Sequence, residues 1–183
     1  EEHWLQPGVP AVSSLLRATY RRRHDLQVLP LDEADPTLPG LGVLLGAVMK
    51  VASRGVVTAD AIEFRMLSDE RDVAAMHAVA DVVERLLEHP VVAALGDVLE
   101  FDRSDEGLLA SVGDYVHAVG TCRMGHDEGA VVDEWCCVHH HEGLWVCDAS
   151  VMPEVPRANT HLPTLMIAER VAAHLDTLIA TGA

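Results

Sequence analysis

Two histidine segments carry the chain's clearest chemical potential, His117-Ala-Val-Gly-Thr121 and Asn159-Thr-His161-Leu-Pro-Thr164. A neutral imidazole accepts a proton readily near pH 7. A second hydrogen-bonding group opposite it can orient a hydroxyl and stabilise the negative oxygen that deprotonation leaves. His117 and His161, 44 residues apart, supply both groups if the fold joins the segments. The spacing alone does not join them, and an isolated histidine is more often structural.

Two other constellations compete. Cys137, His139 and His141 alternate, so on a strand they share one face, and thiolate with imidazole suits Zn²⁺, with Cys147 as a conjectural fourth ligand. Ligands this close in sequence strain a coordination shell, and a surface turn is the plainer reading. Gly40-Leu-Gly42-Val-Leu-Leu-Gly46 has glycine spacings close to a dinucleotide fingerprint. Its context argues against that role: Asp35-Pro-Thr-Leu-Pro39 stands where a strand should, and no acidic residue ends a second strand about 20 residues later.

The elements that position these residues follow from periodicity. Ala11 to Arg23 reads as a helix, with Leu15, Leu16, Ala18 and Tyr20 among arginines, and His24 to Pro30 reads as a strand with Leu26, Val28 and Pro30 alternating. An acidic loop with Pro and Gly covers Leu31 to Gly40. Gly42 to Val51 is apolar throughout and suits a buried strand, and a turn at Arg54-Gly55 into Val56-Val57-Thr58 makes this stretch a hairpin. Ile62 to Leu67 alternates as another strand. Ser68-Asp-Glu caps a helix from about Arg71 to Leu87, and a shorter helical piece follows Pro90. From Val116 the pattern is short and strand-like until Pro163 opens a last helix, in which Leu165, Ile167, Val171, Leu175 and Leu178 supply apolar contacts and Arg170 breaks the stripe. An antiparallel sheet with helices on one face, an α+β arrangement, accounts for residues 24 to 115.

With 183 residues, 49% of them hydrophobic, the chain can bury a real core. Net charge is −16, with Lys50 the single lysine among thirteen basic residues, and such a surface repels nucleic acid. Arg21-Arg22-Arg23, with Arg17, is a local basic exception that reads as a solvated helix end rather than an anion site. No apolar run reaches the ~18–20 residues of a bilayer span, because Lys50, Arg54 and Glu63 interrupt the most apolar stretch. Four cysteines, Cys136 and Cys137 adjacent, do not form a disulfide framework and point to a reducing compartment, the cytoplasm. A start at Glu1 without a signal-peptide pattern reads as a fragment or a processed chain.

Between the histidine segments lie Val131-Val-Asp133, Val138-His139, Gly143-Leu-Trp-Val146 and Asp148-Ala-Ser150. Upstream lie Asp25-Leu-Gln27, Ser53-Arg-Gly55 and Phe64-Arg-Met-Leu-Ser-Asp69. In this order the segments resemble the C-terminal part of the glucose–methanol–choline (GMC) oxidoreductases, FAD-dependent alcohol oxidases and dehydrogenases; the likeness covers about residues 24 to 180. The resemblance implies an alcohol substrate, FAD, and an electron acceptor that is oxygen or a carrier. It makes His117 the favoured base and His161 the group that positions substrate and alkoxide. It implies flavin contacts at Asp148 and Ala149 and along the backbone of His161, Leu162, Pro163 and Thr164, where a helix starting at Pro163 turns its positive end toward the flavin. The alternative for Asp148 is a turn aspartate, and the surrounding match favours the cofactor role. Residues 1–115 then belong to a substrate-binding domain. Residues 116–183 carry the catalytic histidine segments and complete an FAD-binding domain, whose ADP-holding part lies in a missing N-terminal region or a separate chain.

The chain departs from the family pattern after Val-Val-Asp. Glu134, Trp135, Cys136 and Cys137 replace proline and basic residues, and His140 replaces a turn glycine, which implies backbone strain at that position. The rival function is non-enzymatic: an orphaned domain serving as an interaction surface or a zinc-binding module.

Overall fold

Strands β1 (Leu16–Ala18), β2 (Leu26–Leu31) and β3 (Val43–Val48) pair antiparallel in the order β1-β2-β3. The registers are Leu16 with Val28 between β1 and β2, and Leu26 with Val48 between β2 and β3. The computed structural model describes residues 16–18, 20, 25–31, 35, 37–99 and 101–182. These form two compact units, one from residues 1–54 and 65–112, the other from 55–64 and 113–183. Helices with small antiparallel sheets make the chain α+β, the class expected from the sequence.

In the first unit, α1 (Glu70–Leu87) lays Ala75, Val79 and Val83 on Leu26 and Val28 of the central strand. Fully burying a side chain of this size stabilises by about 1.5–3 kcal/mol, so this layer is the unit's main source of stability. A Cβ on Gly46 would stand 3.0 and 3.2 Å from the Val79 methyls. That glycine therefore lies within β3 and serves strand–helix packing, away from any strand–turn–helix phosphate cradle. Asp69 caps α1 by accepting the Arg71 N–H at 2.9 Å, and Glu70 and Asp72 complement the positive helix end. Asp72, 3% exposed, turns back to accept the N–H groups of Ala52 at 2.8 Å and Ser53 at 2.7 Å. The Ser53 hydroxyl in turn accepts the Asp69 N–H at 3.2 Å. Two of the sequence landmarks, Ser53 and Asp69, are thus halves of one clasp. The short helices α2 (Pro90–Ala93) and α3 (Asp105–Ser111, capped by Ser104) complete the unit.

Three expectations are corrected here. Leu16 to Ala18 form a strand rather than part of a helix; the rest of that stretch, including Arg21 to Arg23, lies outside the described residues except Tyr20. The apolar segment from Gly42 does not pair with Val56-Val57-Thr58: β3 pairs with β2, while β4 (Val56–Val57) pairs with β5 (Ile62–Glu63) across a turn closed by Thr58 N–H to the Ala61 carbonyl at 2.9 Å. The Asp72 clasp on Ala52 and Ser53 ends the β3 run and prevents a local hairpin. The strand expected over Ile62 to Leu67 stops at Glu63, and Arg65 (φ 48°) and Leu67 (φ 56°) take left-handed conformations that no strand holds.

The second unit is built mostly from irregular chain. Its core is Val132, Cys136, Val151 and Val171, with Met124, Val138, Trp145, Ile167 and Leu175 around them. The strand-like expectation after Val116 survives only as isolated bridges, Met124 with Val132, Val132 with Val138 and Cys137 with Trp145. Left-handed residues at Cys136 (φ 63°), His140 (φ 62°) and Gly143 (φ 72°) break each run before a ladder develops. The long helix α4 (His161–Thr181) closes the unit, presenting Ile167, Val171 and Leu175 to the core and ending at left-handed Gly182. It begins two residues before Pro163, which is tolerated because first-turn N–H groups have no intrahelical partner to lose.

Candidate active site

The fold of the second unit brings the two histidine segments together. His117 is half-buried, and Asn159 Nδ2 lies 3.0 Å from its Nε2 while Thr160 Oγ1 lies 3.3 Å from its Nδ1. Tyr115 meets the imidazole edge-on, with ring centroids 5.4 Å apart. His161 follows Thr160 directly as the first residue of α4, with its side chain exposed. Asn159 and Thr160 carry no chemical signal of their own in the sequence, since their contacts with His117 depend on where α4 starts.

Several motif residues explain how this pairing is held. Gly120 has φ 90°, a conformation that favours glycine, and its N–H donates to the Ser150 carbonyl at 3.0 Å. Cys122 N–H donates to the same carbonyl at 3.1 Å, and Met124 N–H to the Val151 carbonyl at 2.9 Å. These bonds tie the His117 segment to Asp148-Ala-Ser. Asp148 itself is exposed and caps the 3-10 turn Ala149–Val151, its Oδ1 accepting from Ser150 N–H at 2.8 Å and from the Ser150 hydroxyl. Asp133 organises the next loop, accepting from Trp135 N–H at 2.8 Å and Cys137 N–H at 2.9 Å. Arg123 and Asp127 form a two-pronged ion pair, at 2.9 and 2.6 Å, and the guanidinium holds the Asp127 carboxyl down to about 2.

The departures from the family pattern have structural partners. Trp135 stacks on His174 of α4 at 4.1 Å, and the Arg170 guanidinium lies 4.1 Å over the indole while donating to the Glu134 carbonyl at 2.6 Å. Arg170, which interrupts the apolar stripe in sequence, therefore anchors this loop to α4. His140 does occupy the left-handed region expected of the glycine it replaces. Such a backbone costs an L-residue about 1–2 kcal/mol, so H140G is expected to stabilise the chain by about 1 kcal/mol, read as a higher urea midpoint with unchanged slope.

Cys137, His139 and His141 do not share a strand face. His139 Nε2 lies 2.9 Å from the Gly125 carbonyl, and His141 Nδ1 lies 3.1 Å from the His139 carbonyl. Among the described residues no group of three or more His, Cys, Asp or Glu is placed to hold a metal ion. Burial, with the Cys147 thiol alongside, pushes the Cys136 thiol from 9.0 up to about 11. A raised thiol pKa favours the protonated folded state. That contribution is complete below the unfolded value and is lost as pH rises through about 11. Unfolding measured across that alkaline range is expected to show stability falling with pH, and C136V is expected to lose that part of the slope.

The start of α4 fits an electron-rich ligand. No acidic residue lies in its first turn, Thr160 does not cap it through its side chain, and Leu162 is 74% exposed. The N–H groups there carry the helix's positive end and have no acid of their own to satisfy it. Among the described residues no helix is long and apolar enough to cross a membrane.

Comparison with known proteins places this α+β chain, with its half-buried imidazole beside the N-terminus of a long helix, among the GMC oxidoreductases. Residues 49–168 match the family model described as GMC oxidoreductase. The chain is 38% identical over 133 residues to 5-(hydroxymethyl)furfural oxidase of Methylovorus sp. (strain MP688), covering 61% of this chain and 25% of the relative. It is 30% identical to oxygen-dependent choline dehydrogenase of Cronobacter sakazakii, covering 69% of this chain and 24% of the relative. Among solved structures, a fungal aryl-alcohol oxidase superposes with TM-score 0.68 at 26% identity, over 82% of this chain and 27% of that one. Pyridoxine 4-oxidase from Mesorbium loti shares the fold with TM-score 0.71 at 24% identity, over 87% of this chain and 37% of that one. The chain belongs to the GMC oxidoreductase family and spans about a quarter of the length of these two curated relatives, within their C-terminal region.

Proposed function

We propose that the protein containing this chain is an FAD-dependent oxidoreductase that oxidises a small primary alcohol, with His117 as the base that takes the hydroxyl proton. The observation that carries this reading is the junction of His117 with Asn159 and Thr160 at the start of α4. It places an imidazole next to a helix end suited to an electron-rich ring. His161, one residue further on, hydrogen-bonds the alcohol oxygen and stabilises the alkoxide as the proton leaves. The backbone from His161 to Thr164 and the residues Asp148 and Ala149 would hold FAD. Asp148 does so through backbone and turn geometry, since its Oδ1 is engaged by Ser150. FAD supplies a hydride acceptor for the carbinol carbon when bound.

On this reading residues 116–183 bring the catalytic segments and a wall of the flavin site, and residues 1–115 belong to the substrate side. The ADP portion of the cofactor is held by a nucleotide-binding part that precedes this chain or pairs with it; oxygen or a carrier is the electron acceptor. The alcohol is a small one bearing a hydroxymethyl group, in line with the relatives' names, hydroxymethylfurfural oxidase, choline dehydrogenase and aryl-alcohol oxidase. The test is anaerobic mixing of the flavoprotein containing this chain with a panel of primary alcohols, following the flavin absorption band. Bleaching by at least one alcohol is expected; a band unchanged by every alcohol, in protein that a chemical reductant does bleach, contradicts the reading.

A further inference from the structure

We propose that Asn159 is a positioning residue that fixes the ring tautomer of His117, leaving Nε2 as the basic nitrogen, with the Thr160 hydroxyl accepting the Nδ1 proton; the inference rests on the alcohol-oxidoreductase reading. The two contacts on the imidazole determine each other. The Asn159 amide nitrogen, 3.0 Å from Nε2, can only donate, so Nε2 accepts. A neutral imidazole carries one N–H and one lone pair, so the proton sits on Nδ1 and is donated to Thr160 Oγ1 at 3.3 Å. Asn159 then occupies, in the resting chain, the direction from which an alcohol O–H would donate to the base.

The start of α4 explains why the Thr160 hydroxyl is available. Thr160 is the N-cap residue of α4, and a threonine there ordinarily accepts the N–H of the second or third helical residue. The third residue is Pro163, which has no N–H, and the Thr160 side chain makes no capping bond. Pro163 thereby removes one of the two donors that would recruit the hydroxyl, and the hydroxyl serves His117 instead. A capping bond is forgone for a contact 43 residues away. The Thr160 carbonyl meanwhile accepts the Thr164 N–H at 2.9 Å, so the residue is held by the helix it fails to cap.

The experiment reads the His117 ring nitrogens by ¹⁵N NMR in this chain at about pH 9, where an ordinary imidazole is neutral. The same variants are then assayed in the flavoprotein that contains it. In the parent chain Nδ1 is expected to show the protonated signature and Nε2 the unprotonated one. N159D, whose carboxylate can only accept, is expected to shift the ring toward the Nε2-protonated form, and N159Q, which keeps an amide donor, to retain the original state. In the flavoprotein N159D is expected to slow alcohol-dependent flavin reduction roughly tenfold with little change in KM, and N159Q to recover it. A parent ring protonated at Nε2, which would mean the Asn159 amide presents its oxygen instead, overturns the proposal. So does an N159D chain whose tautomer and reduction rate are unchanged. If the tautomer responds as stated but the parent flavoprotein oxidises no alcohol, the functional reading fails and not the contact.

Discussion

H117A in the flavoprotein containing this chain is expected to lower the rate of alcohol-dependent flavin reduction by about 10²–10⁴-fold, the range over which a positioned acid or base contributes. The loss should fall on kcat rather than KM, because the imidazole stabilises the transition state, in which the hydroxyl proton is in flight, more than the bound alcohol. H161A should cost less if His161 orients the oxygen without taking the proton, and its effect should be shared between kcat and KM. Anaerobic stopped-flow measurement on both variants separates the roles. Equal effects would assign the two histidines to one function, and a larger effect for H161A would exchange them.

The second large effect is on stability. D72A is expected to destabilise the first unit by about 3 kcal/mol, read from urea unfolding of the chain. The carboxylate is 3% exposed and satisfies the N–H groups of Ala52 and Ser53, so its removal strands two donors in a half-buried turn and frees the Ser53 side of the clasp. D72N keeps one acceptor oxygen at the same reach and is expected to lose about half as much. A D72A chain as stable as the parent would show that the β3 exit is held by the strand–helix contacts of Val79 and Val83 alone.

Local pattern reveals some of these features and tertiary context others. The α1 helix is legible because Ser68-Asp-Glu stands before an apolar stripe, and the structure makes Asp69 its cap. β2 is legible because Leu26 and Val28 alternate with Gln27. β1 is not: Leu16 and Ala18 lie among arginines at helical spacing, and only the register with β2 makes them a strand. The false hairpin from Gly42 to Thr58 arises because an apolar run followed by Arg54-Gly55 has the local signs of a turn. What ends the run is Asp72, about 20 residues away on α1.

The site divides the same way. His117 stands out through its motif, and the Gly120 of that motif has a physical reason in its φ of 90° and its bond to Ser150. The strain at His140 is legible because the family pattern has a glycine there. The contacts of Asn159 and Thr160 with His117 are not, because placing the helix start at Pro163 hides that Thr160 is an N-cap residue whose hydroxyl has lost a donor. Pro163 is the signal that could have shown it, two residues inside the helix rather than at its edge.

Anaerobic flavin reduction in H117A, with and without added imidazole, shows whether His117 takes the hydroxyl proton. Slow reduction by a primary alcohol that the parent oxidises is expected, accelerated as imidazole fills the space left by the side chain. Reduction of H117A at the parent rate without imidazole would contradict that role.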